Sequence, residues 1–170
     1  MKKLIFLALI ISFLCIYKSK ALTEDVIIPN SAIRFRVVAS SNKEYDQKIK
    51  QEVTSSLKSK LKSMLKDSND INDTRKIINN HIDELSLVVK NTINSDNYEI
   101  NYGTNYFPEK EYKGVKYPEG DYESLVIKLG SGLGKNFWCV LFPPLCLLDN
   151  DNNTNVEYKL FVKELINKYF

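Results

Sequence analysis

Between residues 43 and 92 the apolar side chains of this chain recur every three or four positions, and after Ser95 they recur every two. That change of period constrains the fold more than any other feature, because 3.6 is the repeat of a helix with one buried face and 2 is the repeat of a strand. Tyr45, Ile49, Val53, Leu57, Leu61 and Leu65, with Met64 alongside, make one stripe on a Lys/Ser-rich segment. They predict a helix over about residues 43–66, preceded by Ser40, Ser41 and Asn42 as loop and N-cap chemistry. Residues 67–73 are polar and turn-like. A second helix is expected over about 74–92, capped by Asn72 or Asp73, with Ile77, Ile78, His81, Ile82, Leu85, Val88 and Val89 on its apolar side.

The strands are read from alternation. Ile33, Phe35 and Val37 alternate with Arg34 and Arg36, which predicts a half-buried first strand over 32–39. Tyr98, Ile100 and Tyr102 begin a second that runs toward Phe107, where Pro108 ends it. Residues 109–120 read as loop, with Gly114, Pro118 and Gly120 as punctuation. Two further strands are expected over 122–129 and 137–142. The tract 149–155 is too polar to pack, and Leu160, Phe161, Leu165, Ile166 and Tyr169 mark a last amphipathic helix over 156–170. Strand, two helices, three strands and a helix imply an α+β fold. Two amphipathic helices would pack on one face of a small, mostly antiparallel sheet, with a C-terminal helix added.

The chain opens with Lys2 and Lys3, an apolar run from Leu4 to Tyr17 broken only by Ser12, and then Lys18, Ser19, Lys20 and Ala21. This is the layout of an export signal, with Ser19 and Ala21 at the −3 and −1 positions of a cut after Ala21. Residues 1–21 are therefore expected to be a signal peptide, or an anchor if they are not cut. The net charge of +3 comes from 24 basic and 21 acidic residues. Without Lys2, Lys3, Lys18 and Lys20 the balance is 20 basic to 21 acidic. A nucleic-acid binder needs a positive surface that displaces counterions, so no nucleic-acid partner is expected. The roughly 150 residues left suit one domain with a real core.

Two cysteines lie outside the leader, in Cys139-Val-Leu-Phe-Pro-Pro-Leu-Cys146. In an exported domain they suggest a disulfide closing a small loop that Pro143 and Pro144 stiffen. Two buried thiols are the alternative. The spacing is too long for a zinc knuckle and His81 is the sole histidine, so neither a metal nor a cofactor is expected. That histidine sits on a helical apolar stripe, which disfavours a nucleophile–histidine arrangement. Gly130-Ser-Gly132-Leu-Gly134 lacks the spacing of a dinucleotide loop and leads into a strand pattern, so it reads as a flexible strand-to-strand connection. Trp138, Phe142, Pro143 and Pro144 belong to a dense aromatic and apolar patch. Burial is the favoured reading, with part of the loop between the cysteines left exposed as a contact surface.

Three blocks carry a family resemblance. They are Ile33-Arg-Phe-Arg-Val-Val-Ala-Ser-Ser-Asn42 followed by Asp46-Gln47, then Tyr117-Pro118-Glu-Gly120-Asp-Tyr122-Glu123, then Gly132-Leu-Gly134-Lys-Asn136-Phe-Trp138-Cys139-Val-Leu-Phe142-Pro143-Pro144-Leu-Cys146. Together they resemble the stage II sporulation protein R family. Phe137 stands where that family usually has the first of two tryptophans, and Ser40 where it usually has asparagine. The resemblance implies a family domain over residues 22–149, with 150–170 as a polar linker and helix. It also implies a role in endospore formation. Such a protein is exported from the forespore, through the export machinery, into the space between two membranes. There it activates a membrane-embedded aspartic protease of the mother cell, stage II sporulation protein GA, which processes the precursor of sigma factor E. The chain would then be a signal and not an enzyme. Arg34, Arg36, Trp138, Phe142, Pro143 and Pro144 are the candidate contact residues, with Arg34 and Arg36 expected on the exposed side of the first strand. An exported cell-wall hydrolase, or a passive binding protein of the same space, is the rival reading.

Overall fold

In the computed structural model, the described residues are Ile10, Ser12, 26–147 and 154–170. The expected signal peptide lies outside them apart from Ile10 and Ser12, and so does most of the polar tract before the last helix. Among the described residues no helix is long and apolar enough to cross a membrane.

Four strands form the main sheet in the order β3-β6-β2-β7. They are β2 (Ile33–Val38), β3 (Tyr98–Phe107), β6 (Gly120–Leu129) and β7 (Asn136–Phe142). β3 pairs antiparallel with β6 and β2 antiparallel with β7, whereas the central β2–β6 ladder is parallel. Alternation sorts the side chains onto two faces. Ile33, Phe35 and Val37 of β2 join Leu125, Ile127 and Leu129 of β6 on one face. Across that face lie α1 (Glu44–Met64) and α3 (Ile82–Ile93), which supply Val53, Leu57, Leu61, Leu85 and Val89. Each such Leu, once fully buried, contributes about 1.5–3 kcal/mol. The predicted helical stripe is the surface that covers the sheet, and the α+β expectation holds.

The second predicted helix is two. α2 (Ile71–Asn80) begins three residues earlier than expected, because Asp70 rather than Asn72 or Asp73 caps it. The Asp70 carboxylate accepts from the backbone N–H groups of Asn72 and Asp73, satisfying donors that a helix start leaves open. His81 then breaks the run. Its Nδ1 lies 2.7 Å from the Ile77 carbonyl oxygen, and its backbone N–H turns to the Ile78 carbonyl, so α2 ends there and α3 starts afresh at Ile82.

The segment 109–120, read as loop, contains strands. β4 (Lys110–Tyr112) and β5 (Val115–Tyr117) form a hairpin around Lys113 and Gly114, both at positive φ as a tight two-residue turn requires. β1 (Val26–Ile27) adds parallel to β5, giving a second, three-stranded sheet. α4 (Asn155–Tyr169) starts at a capping box made by Thr154 and Glu157, and its Val162 joins Val26, Ile28, Val115 and Val140 in a second core. The small sheet and α4 thus lie on the side of the main sheet away from α1 and α3.

Candidate functional site

Because β2 alternates, Arg34 and Arg36 point away from α1 and α3. The sequence placed them on a solvent face, and for Arg34 this is wrong: it is only 2% exposed. Its guanidinium carbon sits 3.3 Å from the centroid of the Tyr122 ring and 5.3 Å from that of Phe107. Nη2 donates to the Pro118 carbonyl oxygen at 3.3 Å, while Nε and Nη1 have no hydrogen-bond partner. Arg36, half-buried, lies 4.8 Å from the Phe107 ring and 5.5 Å from Trp138, and its Nη1 donates to the Tyr106 carbonyl at 3.4 Å. No carboxylate pairs with either arginine among the described residues. Burial pulls both groups below their ordinary value, partly countered at Arg34 by Tyr122 and Tyr117.

Such an arrangement is expensive. A buried donor left unpaired costs about 1–3 kcal/mol, and more when charged, against about 2 kcal/mol from a desolvated cation–π contact. Local rules are usually broken at functional positions. Here the cation faces a cleft of about 340 Å³. Arg34, Lys58, Lys110 and Lys113 line it, together with Phe107, Tyr117, Asn136, Phe137, Trp138 and the Cys139–Cys146 pair; among the described residues that line it, none is acidic. The cleft runs beside β7, one of the two edge strands of the main sheet.

The two cysteines are joined, with their Cα atoms 5.7 Å apart, so the disulfide expectation holds. The bond ties the middle of β7 to the 3-10 turn Leu145–Leu147 that follows it. Phe142 and Pro143, expected as contact residues, are buried; Phe142 packs edge-on against Tyr169 and Phe170 of the C-terminal segment. α4 therefore takes up the surface that the sequence left for a partner. Pro144 is half-buried and does not line the cleft, whereas Trp138, also half-buried, does.

The other singled-out residues fall into two groups. Tyr117, Pro118, Gly120 and Tyr122 build the cage around Arg34. Tyr122 stacks on it and its O–H donates to the Pro118 carbonyl at 3.0 Å. Gly120 has φ +147, where a side chain is strained. Asp46 and Gln47 instead fasten the β2–α1 loop to the start of α1, Gly132 turns the β6–β7 connection, and Gly134 ties that connection to the loop. Ser41 Oγ donates to Asp46 at 2.5 Å, Gln47 Nε2 to the Ser41 carbonyl at 2.8 Å, and the Gly134 N–H to the Ala39 carbonyl at 2.9 Å. The glycine-rich connection is thus pinned rather than flexible. Asn136 lines the cleft with its Oδ1 buried and unpartnered.

Phe107, Lys58, Lys110, Lys113 and Tyr158 escaped sequence reasoning. Nothing in the pattern around the lysines distinguishes them from solvated charge; only the tertiary fold brings a helix, a hairpin and a strand edge together. His81 is not among the cleft residues, and no group of metal-ligating side chains occurs among the described residues.

The family model described as Stage II sporulation protein R (spore_II_R) matches residues 29–152. A Stage II sporulation protein R of Bacillus subtilis (strain 168) is 34% identical over 142 residues, which cover 81% of this chain. The match spans 63% of that relative's own length. No solved structure matches the chain.

Proposed function

Because this chain belongs to the stage II sporulation protein R family, we propose that it is an exported signal of sporulation that activates a membrane-embedded aspartic protease and so leads to processing of the sigma factor E precursor. On this reading it leaves the forespore on its N-terminal leader and works by contact, between two membranes, on the protease stage II sporulation protein GA. The observation that carries the reading is the family match, which takes in all three sequence blocks.

The physics of such a signal is a shift of population. A ligand activates a receptor only to the extent that it binds the active conformation more tightly than the inactive one. The contact surface must therefore be pre-shaped, since ordering it on binding would consume the difference in affinity. A cleft braced by a disulfide and walled by packed aromatic rings meets that requirement.

The test is reconstitution in a non-sporulating host that produces this chain, the protease and the sigma precursor. The expected result is precursor shortening only when chain and protease are both present, with loss of the effect when residues 1–21 are removed. Shortening without the protease, or identical shortening without this chain, overturns the proposal.

A further inference from the structure

The cleft beside β7 combines three properties for which the folded domain has no internal use. It is lined by Arg34, which is 2% exposed, has no carboxylate partner among the described residues and keeps two guanidinium nitrogens unpartnered. Its walls carry Lys58 from α1 and Lys110 from the β4–β5 hairpin, and no acidic side chain among the described residues. Finally, β7 pairs with β2 along one edge and has no strand partner along the other among the described residues. Asn136, Phe137, Trp138 and Cys139 of that strand all line the cleft.

An unpaired strand edge presents a row of backbone donors and acceptors and is a ready template for an added strand. A cluster of cations without anions raises the local concentration of negative ligands and rejects positive ones. The half-buried ring of Trp138, backed edge to face at 5.0 Å by the buried Phe107, gives apolar side chains a place between the charges. We propose that this cleft seats an extended, carboxylate-bearing segment of a partner polypeptide, laid along the free edge of β7 with its carboxylate toward Arg34, Lys58 and Lys110. That the partner is the protease rests on the signalling role above; the chemistry of the seat does not. A concave slot beside a strand edge suits a peptide better than a lipid headgroup, which meets basic residues on a convex surface.

The chain has a single tryptophan, Trp138, and it lines the cleft, so its fluorescence reports occupancy. The full chain is titrated with a blocked hexapeptide alternating valine with aspartate or glutamate, and with the same peptide carrying asparagine and glutamine. The acidic peptide is expected to give a saturable change, and the amide peptide to bind at least about tenfold more weakly. The double variant Lys58→Gln/Lys110→Gln, altered at half-buried and exposed positions, keeps its circular dichroism and loses at least about tenfold in affinity for the acidic peptide. Equal binding of the two peptides, or unchanged binding by the double variant, overturns the proposal. So does a tighter response to inorganic phosphate or to phosphatidylglycerol vesicles than to the peptide. In the reconstituted host, full precursor processing by the double variant removes the cleft from signalling and leaves the signal intact. Peptide binding by a wild-type chain that promotes no processing does the reverse.

Discussion

The guanidinium of Arg34 lies over the ring of Tyr122, its central carbon 3.3 Å from the ring centroid, with no carboxylate partner for the charge among the described residues. An aromatic face is the least demanding company for a buried cation, because it offers negative charge density without needing hydration itself. The pair makes the first prediction. Arg34→Met removes a charge whose burial is poorly compensated, so it is expected to change stability by no more than about 1–2 kcal/mol in either direction. Tyr122→Leu keeps the charge and removes its cover, and is expected to cost more. Urea unfolding of both single variants and the double variant should return a coupling of about 1–2 kcal/mol. Strict additivity would show that the stacking carries no energy.

The disulfide is the second case. Cys139 and Cys146 are seven positions apart and their bond anchors the strand that borders the cleft. Closing so short a loop stabilises by about 2–3 kcal/mol through the unfolded chain. Replacing both by serine is expected to lower the unfolding free energy by that amount and to weaken precursor processing. Unchanged urea midpoints would mean that the bond constrains nothing.

Gly134 makes the third. A methyl group built on it would lie 2.3 Å from the Ser41 carbonyl oxygen, a backbone atom that cannot swing aside. Gly134→Ala must push apart the two loops that Ala39, Asn42 and Lys135 join, at an expected cost of about 1–3 kcal/mol. Thermal unfolding reads it, and hydrogen exchange at the Gly134 and Lys135 amides should report the opening locally.

The fourth concerns acid. Burial pushes the Glu123 carboxyl up, but hydrogen bonds from Arg75 and Tyr102 and the charge of Arg75 outweigh it and hold the group below its ordinary 4.5. A carboxyl depressed in the folded state adds stability above its unfolded value, and that stability is lost as pH falls through the folded value. Glu123→Gln is therefore expected to lower stability at neutral pH by about 1 kcal/mol, since the pair is partly exposed. Its unfolding free energy should also fall less steeply below pH 4.5 than that of the wild type. Parallel acid profiles would assign the acid sensitivity to another group.

Much of the architecture could be read directly. The stripe from Ile49 to Leu65 reports which side of α1 is buried, and the alternation in Ile33–Val38 reports which residues share a face, because both follow the repeat of the backbone. The cysteine pair was legible because two nearby thiols, in a chain that opens with the layout of an export signal, suggest a disulfide. The break at His81 was not, because the apolar repeat continues through it while the His81 ring nitrogen meets the Ile77 carbonyl and its backbone N–H turns to that of Ile78.

What this sequence determined by itself was therefore local: the two periods, the order of the main-sheet strands and the helical stretches, the covalent staple and the three blocks that mark the family. The cleft was decided by the tertiary structure. Alternation says that Arg34 and Phe35 face opposite ways, yet whether the side away from the helices meets water depends on what else docks there. A hairpin from residues 110–117 and a helix from the far end of the chain cover that side, turning a strand arginine with a solvent-like pattern into a buried cation. Contacts between residues so distant in sequence leave no trace in the spacing of either one.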